Sequence, residues 1–364
     1  MRPLRLLTVA VSVFLVVTVG WVVVKKHVQS GKNGCAATVT EVRGIVGSEK
    51  EAFLRDPRVT RIFACAGLRL LIDPRGSREM VNALADGVHR YDFAFPSSTP
   101  TAEKIMQLLK VNESFRPFSS VMGVATFAKT VAVLRANGIV RTVGGHDVVL
   151  VKQLIDKDRA GTRWKDLKGN ADSPNGNVVL MRTTDPRDSN SAIMFVSILS
   201  AVLNGDKPVA GTDTLPKIMP DLCRLMSDQG QKPDTSEVLF DEYLADGPSR
   251  TPMALVYESQ FLDKASPQRV PADGEHVMLF PSPTVYAWHT LVPLTEAGST
   301  VGRMLVDDAD LKNLAAEYGF RPEGRTLTDR PNPPVVVEPP DYGVLETMLD
   351  QLGSFNQKTG TCAK

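Results

Sequence analysis

Apolar and polar positions alternate along the chain after residue 38 with a period that switches repeatedly from strand-like to helix-like. Short apolar runs are followed by segments whose apolar residues recur at three- and four-residue spacing, as in residues 77–88. Strand and helix patterns that alternate in this way are typical of open sheets with helices on both faces. The pattern therefore predicts an α/β protein with mostly parallel sheets.

The alternation falls into two series. The first occupies residues 38–120, and the second begins near residue 121. An almost wholly apolar helix in the second series is too short to cross a membrane, so it is expected to be buried. The strand-like runs of the two series are "TVTEVRGIV", "GLRLLID", "RYDFAFP", "SVMGVATFA", "NVVLMRT", "PMALVYE" and "HVMLFP".

The first 26 residues have a different character from the rest of the chain. Residues 6–24 carry no charge and are long enough to span a bilayer, and lysines follow them directly. A cleaved signal peptide, the alternative, would show a shorter apolar core and small residues at its cleavage site. The sequence therefore predicts a single-pass signal anchor at 1–26, a linker at 27–37, and an extracellular location for the remainder.

Charge and known motifs exclude several function classes. The 364 residues include 42 basic and 41 acidic side chains, with no basic stripe of the kind that binds nucleic acid. No nucleophile elbow, P-loop, dinucleotide fingerprint or zinc motif occurs in the chain. We therefore predict no enzymatic activity, no cofactor, no metal site and no nucleic-acid partner.

Four cysteines occur in the chain, which in an exported protein favours disulfides over buried free thiols. All three pairings remain open. Cys35 and Cys65 each precede a strand-like run, so both are expected at one edge of a parallel sheet, and they are the favoured pair. Cys223 and Cys362 are the other two candidates.

Gly-Ser pairs follow two consecutive predicted strands, at Gly47-Ser48 and Gly76-Ser77. Ligands of open α/β sheets bind beyond the carboxyl ends of the strands, where helix starts present unpaired N–H groups. Glycine lets a ligand approach the backbone and serine offers a hydroxyl. The two pairs are therefore expected to converge on one pocket for a polar or anionic solute. The alternative is that both serines only cap helices.

Several segments resemble the bacterial extracellular solute-binding proteins of the type 2 periplasmic-binding fold. They include "GSEKEAFLRDPRV", "LIDPRGSREM", "YDFAFPSSTPTAEKI", "TDPRDSNSAIMFVSIL", "VYESQFL", "LFPSPTVYAWHTLVPL" and "DADLKNLAAEYGFRP". The chain is most similar to modules that precede a von Willebrand factor type A domain. That second domain is expected to be absent, because the sequence stops after the proline-rich "PNPPVVVEPPDYG" and a short helix, with no DxSxS motif.

The resemblance implies a two-lobed solute-binding domain over 38–330, with 38–120 and 256–330 in the first lobe and 121–255 in the second. A proline-rich linker and tail would occupy 331–364. The cleft between the lobes would be lined by Gly47, Ser48, Gly76, Ser77, Asp92, Ser97, Ser98, Thr126, Thr184, Asp185, Ser189, Ser191 and Tyr257.

The implied function is capture of a small polar or anionic solute, with an ABC-type permease as a candidate partner. The alternative is a membrane-tethered sensor or scaffold of the same fold that binds a protein. For Asp185, Ser189 and Ser191 a local role is also open, because these residue types build turns and cap helices.

The predicted anchor can be tested on intact cells. We expect the chain to keep residues 1–24 and added protease to degrade residues 38–364, because the apolar run holds them outside the membrane. Immunoblotting and N-terminal sequencing measure both. A body that is wholly protected from protease, or an N-terminus beyond residue 24, would contradict the prediction.

Overall fold

A computed structural model describes residues 35–36, 38–87, 90–265, 270–271, 274–328, 330–353, 355–356 and 361–362. The predicted anchor at 1–26 and most of the predicted linker lie outside the described residues. Among the residues that the structure does describe, no helix is both long and apolar enough to cross a membrane.

The described elements follow the alternation of the sequence, with short 3-10 turns at Ser48–Lys50, Trp164–Asp166 and Thr212–Thr214. The first part of the chain contains β1 (Thr40–Val46), α1 (Glu51–Arg55), α2 (Pro57–Cys65), β2 (Leu68–Pro74), α3 (Ser77–Gly87), β3 (Phe93–Phe95), α4 (Thr99–Leu109) and β4 (Phe115–Phe127). The middle part contains α5 (Ala128–Ala136), β5 (Val140–Val143), β6 (His146–Leu150), α6 (Val151–Arg159), α7 (Asn190–Leu203), α8 (Leu215–Ser227), α9 (Ser236–Asp246) and β7 (Met253–Tyr257). The last part contains α10 (Glu258–Leu262), β8 (His276–Ser282), β9 (Tyr286–Pro293), α11 (Glu296–Asp307), α12 (Ala309–Glu317), β10 (Arg321–Pro322), α13 (Tyr342–Gly353), β11 (Phe355–Asn356) and β12 (Thr361–Cys362).

The first lobe is built from two separate stretches of chain. Strands β2, β1 and β3 lie side by side and parallel, and β9 joins β3 from much later in the sequence. An aromatic cluster fills the core behind them, where Phe53, Phe118 and Phe320 contact one another. The first lobe is therefore completed only when the chain returns after residue 286.

Strand β4 belongs to both lobes. Its first half pairs with β9 and β10, and its second half pairs with β7 and β8. Residues 117–127 of this strand are all buried. One continuous strand thus carries the sheet from the first lobe into the second.

The second lobe contains the far end of the sheet, where β8 pairs with β6 and β6 with β5. Helix α7 lies at the centre of this lobe, and residues 190–201 of it are buried, as its apolar sequence predicts. Strand β8 falls in the range that the resemblance assigns to the first lobe, and its hydrogen bonds go to β6 and to the second half of β4.

Two expectations about strands are wrong. The sheet is mixed rather than mostly parallel, because β4 is a crossing strand and β7, β8, β9 and β10 all return antiparallel to it. The run "NVVLMRT" forms isolated bridges at Val178 and Arg182 instead of a regular strand. Backbone groups of this run form individual hydrogen bonds with neighbouring segments, including β7, instead of a continuous ladder.

The proline-rich segment predicted as a linker is extended but packs against the second lobe. The backbone N–H of Val337 donates to Thr284, and the Val337 side chain is buried in the core of that lobe. Helix α13, predicted as a closing helix, buries its apolar face in the same core with Val344, Leu345, Met348, Leu349 and Leu352.

Disulfides fix two parts of the chain. Cys35 is bonded to Cys65, the pair that the sequence favours, and this bond ties the residues before β1 to the end of α2. Cys223 in α8 is also disulfide-bonded, and strand β12, which carries Cys362, packs along the same helix. No cysteine of the described part of the chain is free.

Candidate functional site

A cavity of about 350 Å³ lies between the two lobes, at the carboxyl ends of β1, β2 and β3. The first lobe contributes the residues that follow these three strands, and the second lobe contributes the starts of α7 and α9. Its wall is formed by Gly47, Ser48, Glu49, Pro74, Arg75, Gly76, Ser77, Glu79, Ser97, Asp188, Ser189, Asn190, Asp234, Thr235, Ser236 and Tyr257.

Parallel pairing of the three strands explains why separate loops meet here. Because β2, β1 and β3 run in the same direction, the residues after them emerge at the same edge of the sheet. The structure thereby brings Gly47, Ser48, Gly76, Ser77 and Ser97 to one wall. Ser189 and Tyr257, also named from the sequence, line the same cavity from the other side.

The lobes touch across this cavity. A Cβ atom at Gly76 would lie 1.9 Å from the carbonyl oxygen of Asp188, so only glycine permits this approach. The Ser77 hydroxyl donates to Asn190 Oδ1 at 3.2 Å, and the Ser48 hydroxyl donates to Glu237 Oε2 at 3.3 Å. Both hydroxyls thus bond across the cleft instead of capping their own helices.

Asn190, the first residue of α7, links several parts of the cleft. Its side-chain Nδ2 donates to the Tyr257 hydroxyl at 3.0 Å and to the Ser97 carbonyl at 3.3 Å. Together with the bond from Ser77, this one amide joins the second lobe to two loops of the first lobe and to the end of β7.

The floor of the cavity holds buried charges. Lys50 Nζ contacts the Glu49 carboxylate, the Ser97 hydroxyl at 2.8 Å and His289 Nδ1 at 3.1 Å. The side chains of Lys50 and His289 are 0% exposed, and that of Glu49 is 5% exposed. Residues from β9, from the turn after β1 and from the loop after β3 are therefore joined in one hydrogen-bonded cluster.

The electrostatics of this cluster follow from burial and from its single cation. Burial by itself raises the pKa of Glu49, but the charge of Lys50 and the hydrogen bond with His289 hold that pKa well below its usual range. Burial, reinforced by the Lys50 charge, lowers the pKa of His289 to about 4. At neutral pH the cluster therefore contains an ionised Glu49 and an uncharged His289.

Three residues predicted for the cleft lie elsewhere. Asp92 precedes β3 instead of following it, and its carboxylate accepts from the Arg43 N–H and the Thr295 hydroxyl at the opposite edge of the sheet. The Ser98 hydroxyl bonds to Thr101 at the start of α4. Thr126 is buried at the far end of β4, where it donates to the Pro252 carbonyl.

The other predicted second-lobe residues lie beneath the cavity wall. The hydroxyls of Thr184, Ser189 and Ser191 form a buried chain with spacings of 2.7 Å and 2.9 Å. The Asp185 carboxylate accepts from the Arg187 backbone and guanidinium, which builds the turn before α7. Thr184 and Ser191 therefore bond to neighbouring hydroxyls, and Asp185 builds a turn; for Asp185 and Ser191 these are the local roles left open above.

Sequence analysis missed Glu49, Lys50, Asn190, Glu237 and His289. Glu49 and Lys50 have the pattern of surface charges at a helix start, and a lone histidine is more often packed than functional. Only Asn190 carried a usable signal, since it sits between two predicted serines at the start of the apolar helix.

A second cavity of about 490 Å³ lies on the second lobe, beside Trp164 and Arg182. None of the sequence-predicted site residues lines it, and no parallel strand ends there. Among the described residues, no group of three or more His, Cys, Asp or Glu side chains is arranged to hold a metal ion. The cavity between the lobes is therefore the better candidate site.

Comparison with solved structures bears on the fold. The sulfate-binding protein SubI from Mycobacterium tuberculosis H37Rv matches with a TM-score of 0.53 at 15% identity, over 84% of this chain and 96% of that chain. The substrate-binding protein of an ABC transporter from Agrobacterium tumefaciens matches with a TM-score of 0.57 at 10% identity, over 90% and 96%. The sequence matches no protein-family model and no curated protein.

The chain has the two-lobed fold of periplasmic substrate-binding proteins. Both neighbours are described as binding proteins and neither as an enzyme.

Substitution of Gly76 by alanine should hold the cleft open. The added Cβ would clash with the Asp188 backbone, and overpacking of this kind costs on the order of 3 kcal/mol, which lowers the closed fraction about a hundredfold. Small-angle X-ray scattering should show a larger radius of gyration than for the unsubstituted protein. Gly176→Ala is the matched control, because nothing lies within 4 Å of its added Cβ. Unchanged scattering of Gly76→Ala would contradict the prediction.

Acid should destabilise the protein through His289. The folded state takes up this proton only near pH 4, whereas the unfolded chain takes it up near 6.5, so stability is complete above 6.5 and is lost as the pH falls toward 4. Between pH 7 and pH 5 the loss should be about 2 kcal/mol. Urea unfolding of the protein and of His289→Gln at both pH values measures it. Equal pH slopes for the two proteins would exclude His289 as the cause.

Proposed function

We propose that this protein is an extracellular solute-binding protein that captures a small polar solute between its lobes. The observation that carries the proposal is the cavity itself. It lies at the carboxyl ends of three parallel strands, and hydroxyls, an amide and three helix starts face it. This is where open α/β sheets bind ligands.

The contacts across the cavity support a role in capture. Ser48, Ser77 and Asn190 bond directly to the opposite lobe, so they are satisfied in the closed state. A solute that offers equivalent donors and acceptors would exchange these bonds for its own without leaving a buried polar group unpaired. Closure and binding would then be coupled, because a solute that contacts both lobes favours the closed state.

We propose that the protein acts at the cell surface, tethered by residues 1–26, and delivers its solute to an ABC-type permease. The disulfides support an oxidising location. The two-lobed fold supports the permease, since the neighbour from Agrobacterium tumefaciens is named for an ABC transporter.

We also propose kinship with the modules that precede von Willebrand factor type A domains. The proline-rich segment followed by α13 supports it, because these occur in the order that the resemblance implies.

Retention of a solute tests the function. The full chain is mixed with the low-mass fraction of a cell extract, separated by gel filtration and unfolded, and the released solutes are identified by mass spectrometry. We expect one solute to be enriched in proportion to the protein. Titration calorimetry with that compound should then give affinities about fivefold weaker for Ser48→Ala, Ser77→Ala and Ser189→Ala, because each loses a hydrogen bond of about 1 kcal/mol.

Ser249→Ala is the control for these variants, since Ser249 is exposed on the second lobe and does not line the cavity between the lobes. Unchanged affinity in all three cavity variants would mean that the serines do not contact the solute. Failure to retain any solute would contradict solute capture and favour the sensor or scaffold alternative.

A further inference from the structure

We propose that the captured solute carries a protonated amino or guanidinium group, held by the carboxylates at the mouth of the cavity. The proposal rests on the proposed function and specifies the chemistry of its solute. It departs from the polar or anionic solute expected from the sequence, where only the helix starts and hydroxyls could be recognised.

The charges of the cavity wall are mostly negative. Four carboxylates line it, those of Glu49, Glu79, Asp188 and Asp234, against the single guanidinium of Arg75. That guanidinium is itself engaged, since its Nε donates to Asp73 at 3.0 Å and it also bonds to Glu79. Because Lys50 neutralises Glu49 and Arg75 neutralises Glu79, the uncompensated charges of the wall are the two carboxylates of Asp188 and Asp234.

The buried cation at the floor is not available to an anionic solute. An ammonium group has three donors, and Lys50 Nζ has three protein contacts, to Glu49, Ser97 and His289. A Cβ at Gly47 would lie 2.7 Å from this nitrogen, so the backbone of Gly47 packs closely against the Lys50 ammonium group. An oxyanion entering the cavity would meet a lysine whose charge is already balanced by Glu49.

The two carboxylates at the second-lobe rim, by contrast, are engaged in no hydrogen bond or close ion pair within the described chain, and Arg187 acts on them only through its charge. Asp188 and Asp234 are exposed, and neither side chain accepts a hydrogen bond or forms an ion pair with a described residue. Partial burial and the charges of Asp185 and Asp234 raise the pKa of Asp188, which indicates crowding of like charges. A cationic group placed between them would relieve that crowding.

The negative charge of the carboxylates has to be compared with the partial positive charge of the helix starts. Helices α3, α7 and α9 each begin at the wall, and a helix N-terminus is equivalent to about half a positive charge. Three of them amount to about one and a half positive charges, against the two negative charges of Asp188 and Asp234, so about half a negative charge remains. The helix starts can therefore bind an uncharged acceptor oxygen of the solute, whereas the net field still favours a cationic group.

Fractionation of the solute pool tests the proposal. The low-mass cell extract is passed at about pH 2 over a strong cation exchanger, which retains compounds with amino or guanidinium groups. The retained fraction, the unretained fraction, inorganic sulfate and molybdate are each added at neutral pH to the full chain. We expect only the retained fraction to raise the melting temperature.

The rim carboxylates are then tested with the compound isolated from that fraction. Asp188→Asn combined with Asp234→Asn should weaken its binding about three- to tenfold, because each exposed ion pair is worth a small factor. Asp172→Asn, an exposed carboxylate that does not line the cavity, should leave affinity unchanged. Added salt should weaken binding to the unsubstituted protein.

The other outcomes separate the two proposals. Stabilisation by sulfate, molybdate or the unretained fraction alone would overturn the cationic solute and leave solute capture intact. The cationic solute would likewise be overturned if the double substitution left affinity unchanged or strengthened it. Stabilisation by none of the fractions or anions would overturn both proposals.

Discussion

The structure depends on one strand that is shared between two cores. β4 runs through both lobes, and its eleven consecutive residues 117–127 are all buried. Strands β7, β8 and β9 each pair with one half of β4. Because its backbone is hydrogen-bonded along its length, the lobes cannot separate by breaking the sheet. Relative motion of the lobes has to come from twisting of β4 and its neighbours, and this fixes the cleft at one place.

The buried cluster of Glu49, Lys50 and His289 also joins separate segments of the chain, through side chains rather than through the backbone. Burying Lys50 and Glu49 is costly unless every polar atom is paired, and their contacts with Ser97 and His289 provide that pairing. The cluster joins segments that are far apart in sequence and holds the loops after β1 and β3 in position. The loops that carry the serines of the cavity wall are therefore held in position by the buried cluster beneath them.

Polar contacts join the two sides of the cleft. Beyond the cavity, Arg78 on α3 bonds to Glu346 and Asp350 on α13, which is itself anchored in the second-lobe core. These ion pairs are partly exposed to solvent, and pairs at a protein surface contribute little each.

The sequence by itself determined many of the elements and the first-lobe half of the site. Periodicity located β1, α3, β4 and α7 because their apolar positions are local patterns, and the Gly-Ser pairs marked the loops at the cavity because parallel strands deliver them to one edge. The order of the strands could not be predicted in the same way, since whether β8 and β9 run parallel or antiparallel to β4 depends on pairing between distant segments. The resemblance placed Asp92 in the cleft, although it precedes β3 and so lies at the opposite end of that strand. Lys50 was not identified, because its local sequence has the pattern of a surface charge. Its burial exists only because Glu49, Ser97 and His289 converge from three separate segments, and that convergence is decided by the tertiary structure alone.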